Sequence, residues 1–440
     1  NLNANNPAEL WHMAINSRGK FYPTGPGRKY DLKEAFRKIV ENINLENTAD
    51  VASMAASAST NIRTDLQRFT AGYDPKKWAG YVRADKLDTS GNASPDAGWG
   101  TVGASHKTTG SKLDALADIS ARVILTTNDS TNTGVSFEWE TGTTKLSAVQ
   151  KALLDADTHG EKRVNYLRGD RTYESSTGTP YFRIRDSRQG DIVNSNVWFV
   201  DKPASNFSFK GYKSFVAAHK GRLPMVYVGG NDGMLHGFSA VDGEEKIAYV
   251  PKAVIPELPK LSDPAYAHRY YVDGSPFTGD VNIADTALPP DWRTLLVGAL
   301  GAGGKGYFVL DVTQPGNKLG TTASTFTTGN AANLVVMDKT LHPSAPLTSG
   351  SDDEDIGHIF SAPVMDDTNP FKTSQITMMN DNRWAVIMGN GYNSKNERPV
   401  LLIQYLDGAK ELKKIVATGN QTLSSPVDAV ADINVRANGL

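Results

Sequence analysis

From Arg222 onward the chain alternates short apolar runs with glycine-rich breaks, the pattern of β-strands joined by tight turns. "RLPMVYVGGNDGMLHGFSA" from Arg222 reads as an apolar strand, a turn and a second strand. "WRTLLVGALGAGGKGYFVLDVT" from Trp292 repeats that plan, as does "RWAVIMGNGYNSKNERPVLLIQYLDG" from Arg383. Gly229, Gly298 and Gly389, which end the first strand of each unit, lie 69 and 91 residues apart. Compact propeller repeats run to ~40–50 residues, so these units carry insertions. "DIVNSNVWFVDKP", Asp191 to Pro203, is a weaker forerunner. Three or four short strands cannot bury both faces alone, and radial stacking of such sheets covers them. The pattern therefore predicts a mainly β protein, an irregular β-propeller over 191–440 with insertions, incomplete or heavily modified within this chain. Val226–Gly229 should pair antiparallel with Leu235–Phe238, and Leu295–Gly298 with Tyr307–Leu310. In the first pair, Asn231, Asp232 and Gly233 reverse the chain, with glycine supplying positive φ.

The first half reads differently. Asp31 and Glu34 form a capping box, and Leu32, Ala35, Phe36, Ile39, Val40 and Ile43 follow at helical spacing. That amphipathic helix needs a cover that nothing upstream supplies, so residues 1–45 read as the tail of a domain whose body precedes them. Residues 46–190 read as a mixed α/β connector. Phe69, Tyr73 and Trp78 sit around a turn in extended chain, and Leu146 to Leu154 is a short helix. Asp88 to Lys112 is Gly/Ser/Thr/Asn/Asp-rich, a mobile loop outside the core. Thr321 to Asp355, ending in "SDDEDIG", reads as a polar insertion.

Composition narrows the classes. A length of 440 residues favours two or three units, and 40 glycines with 22 prolines suit many short strands and turns. Net charge is −2 with both signs interspersed, which gives no electrostatic reason to expect nucleic acid. There is no apolar run of the about eighteen residues that a membrane span needs. Cysteine is absent, excluding disulfides, thiolate zinc sites and thiol catalysis.

Enzymatic motifs fail on inspection. "GALGAGGKG" lacks the glycine that a phosphate loop places before its Gly-Lys pair: Ala299 stands there. Gly306 follows Lys305 where serine or threonine is required, and the segment runs into a strand. The eight histidines are never at ligand spacing, and His236 reads as a packed or sheet-edge residue. No G-x-S-x-G elbow occurs. A propeller quinoprotein oxidoreductase would need a regular tryptophan repeat, which Trp11, Trp78, Trp99, Trp139, Trp198, Trp292 and Trp384 do not supply. That class and a generic propeller scaffold stay as alternatives.

Several strings in order resemble the C-terminal propeller of the PilY/PilC family: "VYVGGNDGMLHGFSAVDGEE", "YYVDGSP", "LLVGALGAGGKGYFVLDVT", "DIGHIFSAPVM" and "VIMGNGYNS". "YLRGDR" and "GDIVNSNVWFV" resemble the lead-in to that propeller, and "ELWHMAINSRGKFY" the end of the family's von Willebrand A-like domain. The resemblance implies an exported, non-enzymatic protein of the bacterial cell surface, pilus tip and outer membrane. It implies support of type IV pilus assembly, opposition to retraction, twitching motility, adhesion and virulence, with minor pilins as partners. Docking is expected through exposed sheet edges and insertions.

Two sites follow from that resemblance. Arg168-Gly169-Asp170 within "LRGDR" is an adhesion candidate, its carboxylate suited to an integrin metal site. The structural reading beside it makes Gly169 a turn and Asp170 a local backbone acceptor. Family members also hold Ca²⁺ in a loop of the form D-x-[DN]-x-D-x-x-x-D. Asp432 and Asn434 fit its first positions, but Arg436 and Leu440 stand where carboxylates belong, too few for the six to eight oxygens calcium takes. "NGL" at Asn438 to Leu440 resembles the lead-in to that loop, so the calcium loop is expected just beyond Leu440. The acidic run Asp352 to Asp355 is expected to be a solvated face.

Overall fold

The computed structural model describes residues 54–57, 66–88, 92–100, 107–284, 289–316, 322–342, 352–366 and 369–416. The helix expected after Asp31, and the candidates Asp432 and Asn434, lie outside the described residues. Those residues build three four-stranded sheets, one six-stranded sheet and a two-stranded ribbon, and among them the sheets do not close into a ring. The fold is mainly β, with several antiparallel sheets.

The first sheet is a meander of Met54–Ser57, Leu66–Asp74, Ala79–Leu87 and Ala93–Pro95. Alternation buries one of its faces: Phe69, Ala71, Val82 and Ala84 pack with Val226, Val228 and Phe238 of the six-stranded sheet. Trp99 corrects the expected loop. It is 1% exposed, tilted against Phe69 at 5.9 Å, and its indole N–H donates to the Ala240 carbonyl at 2.9 Å. Burying one such aromatic contributes roughly 1.5–3 kcal/mol or more, enough to draw a polar segment onto the core.

The six-stranded sheet runs Gly134–Ser136, Ile124–Thr127, Glu245–Val250, Leu235–Ser239, Met225–Gly229, Trp198–Val200. All neighbours are antiparallel except Ile124–Thr127 beside Glu245–Val250. Its middle strands are buried on both faces, which explains their continuous apolar runs. Met225–Gly229 pairs with Leu235–Ser239, as the spacing predicts.

The third sheet is Phe277–Asn282, Trp292–Ala299, Tyr307–Asp311 and Val335–Asp338. Gly298 pairs with Phe308 in the expected hairpin, and the Gly-rich stretch leads into a strand rather than a helix. The fourth strand falls inside the segment read as an insertion. Val335–Asp338 completes the sheet, pairing antiparallel with Tyr307–Asp311 through a run of mostly buried residues. The last sheet is Ile376–Met378, Trp384–Gly389, Val400–Tyr405 and Leu412–Val416. Gly389 ends its second strand, opposite Leu401.

Rings lock neighbouring sheets together. Tyr249 meets Phe308 at 4.8 Å and donates its hydroxyl to Asp338 at 2.6 Å; Tyr307 donates to Gln404 at 2.7 Å. Trp292 and Trp384 each open the second strand of their sheet and lie 5.5 Å apart. Phe207 stacks on the first at 5.8 Å and tilts against the second at 5.1 Å. Two tryptophans that look scattered in sequence thus hold equivalent places.

The helix expected over Leu146 to Leu154 spans Ala148–Leu154, because Ser147 caps it: its hydroxyl accepts from Gln150 N–H, and the Gln150 amide accepts from Ser147 N–H. Within the acidic run, Asp355 departs from the expected solvated face. Asp355 is 0% exposed and accepts from Arg398 at 2.8 Å, Lys414 at 2.7 Å and Asn396 at 2.9 Å. It is an interior anchor, since three donors outweigh the cost of burying one carboxylate.

Candidate functional site

The turn after Met225–Gly229 is buried, and its side chains face inward. Asn231 is 2% exposed; its amide donates to Asp191 at 2.8 Å and accepts from Tyr271 N–H at 3.0 Å. Asp232 accepts from Gly190 N–H at 2.8 Å and from the His236 ring at 3.0 Å. The other His236 nitrogen donates to Glu245 at 2.8 Å on the neighbouring strand. Arg122 clamps Glu245 with Nε at 2.6 Å and an outer nitrogen at 2.8 Å, and gives its remaining arm to the Arg168 carbonyl at 2.6 Å.

Four charged side chains thus form a line from the turn to the "LRGD" string. Burial opposes the His236 charge, but Asp232 and Glu245 on its two nitrogens outweigh it and raise its pKa to about 9. Burial likewise opposes the Glu245 charge, yet Arg122 and His236 pull its pKa down to about 2. An imidazolium held by carboxylates on both sides cannot act as a general base, so this histidine is a structural cation. It lies in an interior strand, not at a sheet edge.

This sets the pH profile of stability. His236 titrates near 6.5 when unfolded and near 9 when folded, so its contribution is complete below 6.5 and lost as pH rises through 9. Glu245 stabilises fully above 4.5, and that contribution is lost as pH falls through about 2. Stability is therefore expected to be highest between about pH 4.5 and 6.5 and to fall on the alkaline side, by an amount on the order of 3 kcal/mol at full deprotonation, with the melting temperature falling accordingly. A melting temperature flat from pH 6 to 10 (about the range over which a shifted histidine titrates) would show that His236 is not charged in the fold.

The Arg168-Gly169-Asp170 string closes the helix Gly160–Arg168. Gly169 takes the left-handed conformation, φ 119°, and its carbonyl accepts from Arg188 at 2.7 Å. Arg168 is 5% exposed and donates to the Phe137 carbonyl at 3.0 Å. The Asp170 carboxylate accepts from Thr172 N–H at 2.8 Å and its hydroxyl at 2.6 Å. Only Asp170 of the three is partly exposed.

Distant strings meet at this end of the sheets. Asp191 accepts from His268 at 2.8 Å, Asn194 donates to Asp273 at 2.6 Å, and Asp273 N–H bonds the Leu300 carbonyl at 3.1 Å. His358 reaches the Gly301 carbonyl at 2.8 Å, and Gly357 N–H the Asn390 carbonyl at 2.8 Å. Sequence reading singled out Asn231, Asp232 and Gly233 but missed Arg122, Glu245, Asp191 and Asp273. The repeated pairing of glycine with aspartate (Gly190-Asp191, Asp232-Gly233, Asp273-Gly274) is a signal for the last two. Nothing local marks Arg122, 123 residues from its partner. Among the described residues no cluster of metal-ligating side chains occurs, and no helix is long and apolar enough to cross a membrane.

Residues 189–331 match a family model described as the PilY1 beta-propeller domain. The chain is 34% identical over 475 residues to the type IV pilus biogenesis factor PilY1 of Pseudomonas aeruginosa strain PAK, covering 98% of this chain and 35% of that protein. It is 37% identical over 289 residues to a PilY1 homolog of Xylella fastidiosa strain Temecula1, covering 64% of this chain and 20% of the relative. A crystal structure of the Pseudomonas aeruginosa PilY1 C-terminal domain aligns with 51% of this chain and 38% of its own, at 30% identity and TM-score 0.34. The chain thus spans about a third of the length of the first of these relatives, 35%. With likeness along nearly its whole length, and the family's propeller model falling on the segment that holds the buried turn, the chain belongs to the PilY1 family.

Proposed function

We propose that this chain is the propeller-bearing part of a non-catalytic surface protein at the type IV pilus tip, where it supports pilus assembly, opposes retraction and contributes to adhesion. The observation that carries this reading is the likeness to a pilus biogenesis factor over 98% of the chain. The sheets built by residues 191–416 act as blades, and minor pilins dock on exposed edges and insertions. The buried charge line supports a scaffold role, because every group in it is used to hold segments together.

The "LRGD" string serves this reading as a helix stop. With its guanidinium inside, Arg168 cannot reach an acidic receptor pocket, and integrin binding through Arg168, Gly169 and Asp170 would require the helix end to open. Calcium, which the resemblance implies, is not suited to Asp355, whose oxygens already face Arg398 and Lys414. We place its loop outside the described residues.

Deleting the segment 66–416 from the chromosomal copy tests the proposal. Surface-sheared pilin and twitching zones are expected to collapse, minor pilins to co-purify with the intact protein only, and pili to return when the retraction motor is also removed. Normal surface piliation in the deletion strain would overturn it.

A further inference from the structure

Register divides the last sheet into two faces, because paired residues share a side and neighbours along a strand alternate. Trp384, Val386, Met388 and Leu402 point one way and pack into the main core. Ala385, Ile387, Leu401, Ile403, Tyr405 and Ile415 point the other way. This second face does not join the main core. Ala385, Ile403 and Tyr405 form a cluster of their own, and among the described residues Met379 is the hydrophobic side chain packed against it. Arg383 and Lys413 cap its Tyr405 end, 4.1 and 4.8 Å from the ring. The other end is more open: Ile387 and Leu401 are half-buried, and Ile415 is 51% exposed. The third sheet differs. Leu295, Leu296 and Val297 alternate between its faces, and all three are buried in the main core. That sheet is covered on both sides, the last one on a single side.

The chain leaves this sheet at Val416, the end of its outer strand, with residues 417–440 still to run. Their sequence carries the pattern of one more half-buried strand. In an extended chain Val427, Ala429, Ala431 and Ile433 fall on one side, and Asp428, Val430, Asp432 and Asn434 on the other. The lead-in also repeats. Ser425-Pro426-Val427 has the small residue, proline and apolar residue of Ser275-Pro276-Phe277 and Ala362-Pro363-Val364. Those two strings open onto edge strands that stand in a series. Trp198–Val200 lies against Phe277–Asn282, where the Trp198 indole donates to the Thr278 hydroxyl at 2.8 Å. Phe277–Asn282 lies in turn against Ile376–Met378, so closely that a Cβ on Gly279 would come 2.8 Å from Ile376 Cβ.

We propose that residues 426–434 continue this series, lying as a strand on the second face of the last sheet with Val427, Ala429, Ala431 and Ile433 turned towards it. Stacked sheets stand ~10 Å apart, and the two alanines leave room in that gap for Ile387 and Leu401. Reach is no obstacle. Ten residues of extended chain from Val416 to Pro426 span up to ~33 Å, against a width of ~15 Å for four strands. A tethered segment also acts at an effective concentration on the order of millimolar, which favours it over a second copy of the chain. With the face covered in this way, partners are left the sheet edges and not this surface. The inference rests on the sheets being stacked blades and not on a pilus role, so loss of either reading leaves the other standing.

The chain has no cysteine, so introduced ones report cleanly. In the 440-residue protein, maleimide should label Ile387→Cys and Leu401→Cys at least about tenfold more slowly than Ile184→Cys, a position 64% exposed. Adding Val427→Asp with Ile433→Asp should bring both to within about threefold of that control, because the carboxylates cannot be buried against the face. Val309→Cys, fully buried in the third sheet, should stay unlabelled in the same background. If it is labelled, the aspartates have unfolded the protein and oxidation decides instead. Leu401→Cys is then combined in turn with Val427→Cys, Ala429→Cys, Ala431→Cys and Ile433→Cys. At least one pair should close an intramolecular disulfide, which needs Cα atoms within about 7 Å. Fast labelling of the face in the parent chain, or slow labelling that the aspartates leave unchanged, would overturn the proposal. So would protection that grows with protein concentration, the sign of a second copy, or failure of all four pairs to close.

Discussion

Replacing Glu245 by glutamine is expected to cost about 3–5 kcal/mol of stability, the range seen when one partner of a buried ion pair is removed. Glu245 is the middle of the line: one oxygen accepts from both Arg122 and His236 at 2.8 Å, the other from Arg122 at 2.6 Å. Glutamine keeps the shape but leaves two buried cations beside Asp232 alone, and its own N–H₂ meets donors. Chemical denaturation at pH 6 (within about half a unit of the ordinary histidine pKa) should show the loss as a lower midpoint. The alkaline fall in stability should also begin at lower pH, because one of the two carboxylates that hold the His236 proton is gone. A second variant separates charge from packing. Arg122→Met combined with Glu245→Leu should lose less than the two single changes added together, because removing both ions lifts the desolvation cost of each. A Glu245→Gln protein as stable as the parent, with an unmoved alkaline limb, would show that the line is not electrostatically coupled.

Gly233→Val is expected to damage folding rather than any single binding step. Gly233 has φ 94°, in the left-handed region that a β-branched residue enters only at a cost of roughly 1–3 kcal/mol. A Cβ there would also lie 2.5 Å from Leu258 Cδ2, and overpacking costs typically about 1–3 kcal/mol more. The turn cannot relax outward, because Asn231 and Asp232 hold it to Asp191, Tyr271, Gly190 and His236. At Gly142 an added Cβ meets only Lys145 Cγ at 3.5 Å, so Gly142→Ala should stay within about 0.5 kcal/mol of the parent. Thermal melts of the two variants side by side make the test. If Gly233→Val melted with the parent yet lost piliation, the turn would be a contact site and not a fold element.

The periodicity around Arg222, Trp292 and Arg383 by itself determined the paired strands Met225–Gly229 with Leu235–Ser239 and Trp292–Ala299 with Tyr307–Asp311. It could do so because a hairpin is local: strand, turn residues and strand lie within one short stretch, and alternation or burial marks each. The helix at Ala148 was legible for the same reason, its cap being four residues of sequence. Trp99 and Val335–Asp338 were not, because their destinations, Ala240 and Tyr307–Asp311, are supplied by distant chain, and polar neighbours mask an apolar residue that only tertiary packing can bury. The charge line lies wholly on that side of the divide. Nothing near Arg122 announces Glu245, and Asp355 reads as one carboxylate of a solvated run until Arg398 and Lys414 close on it. A sequence sets which groups are charged and where the chain turns. Whether a charge is solvated or paired depends on what surrounds it, and for these residues the surroundings come from segments tens to more than a hundred residues away, assembled only when the sheets stack.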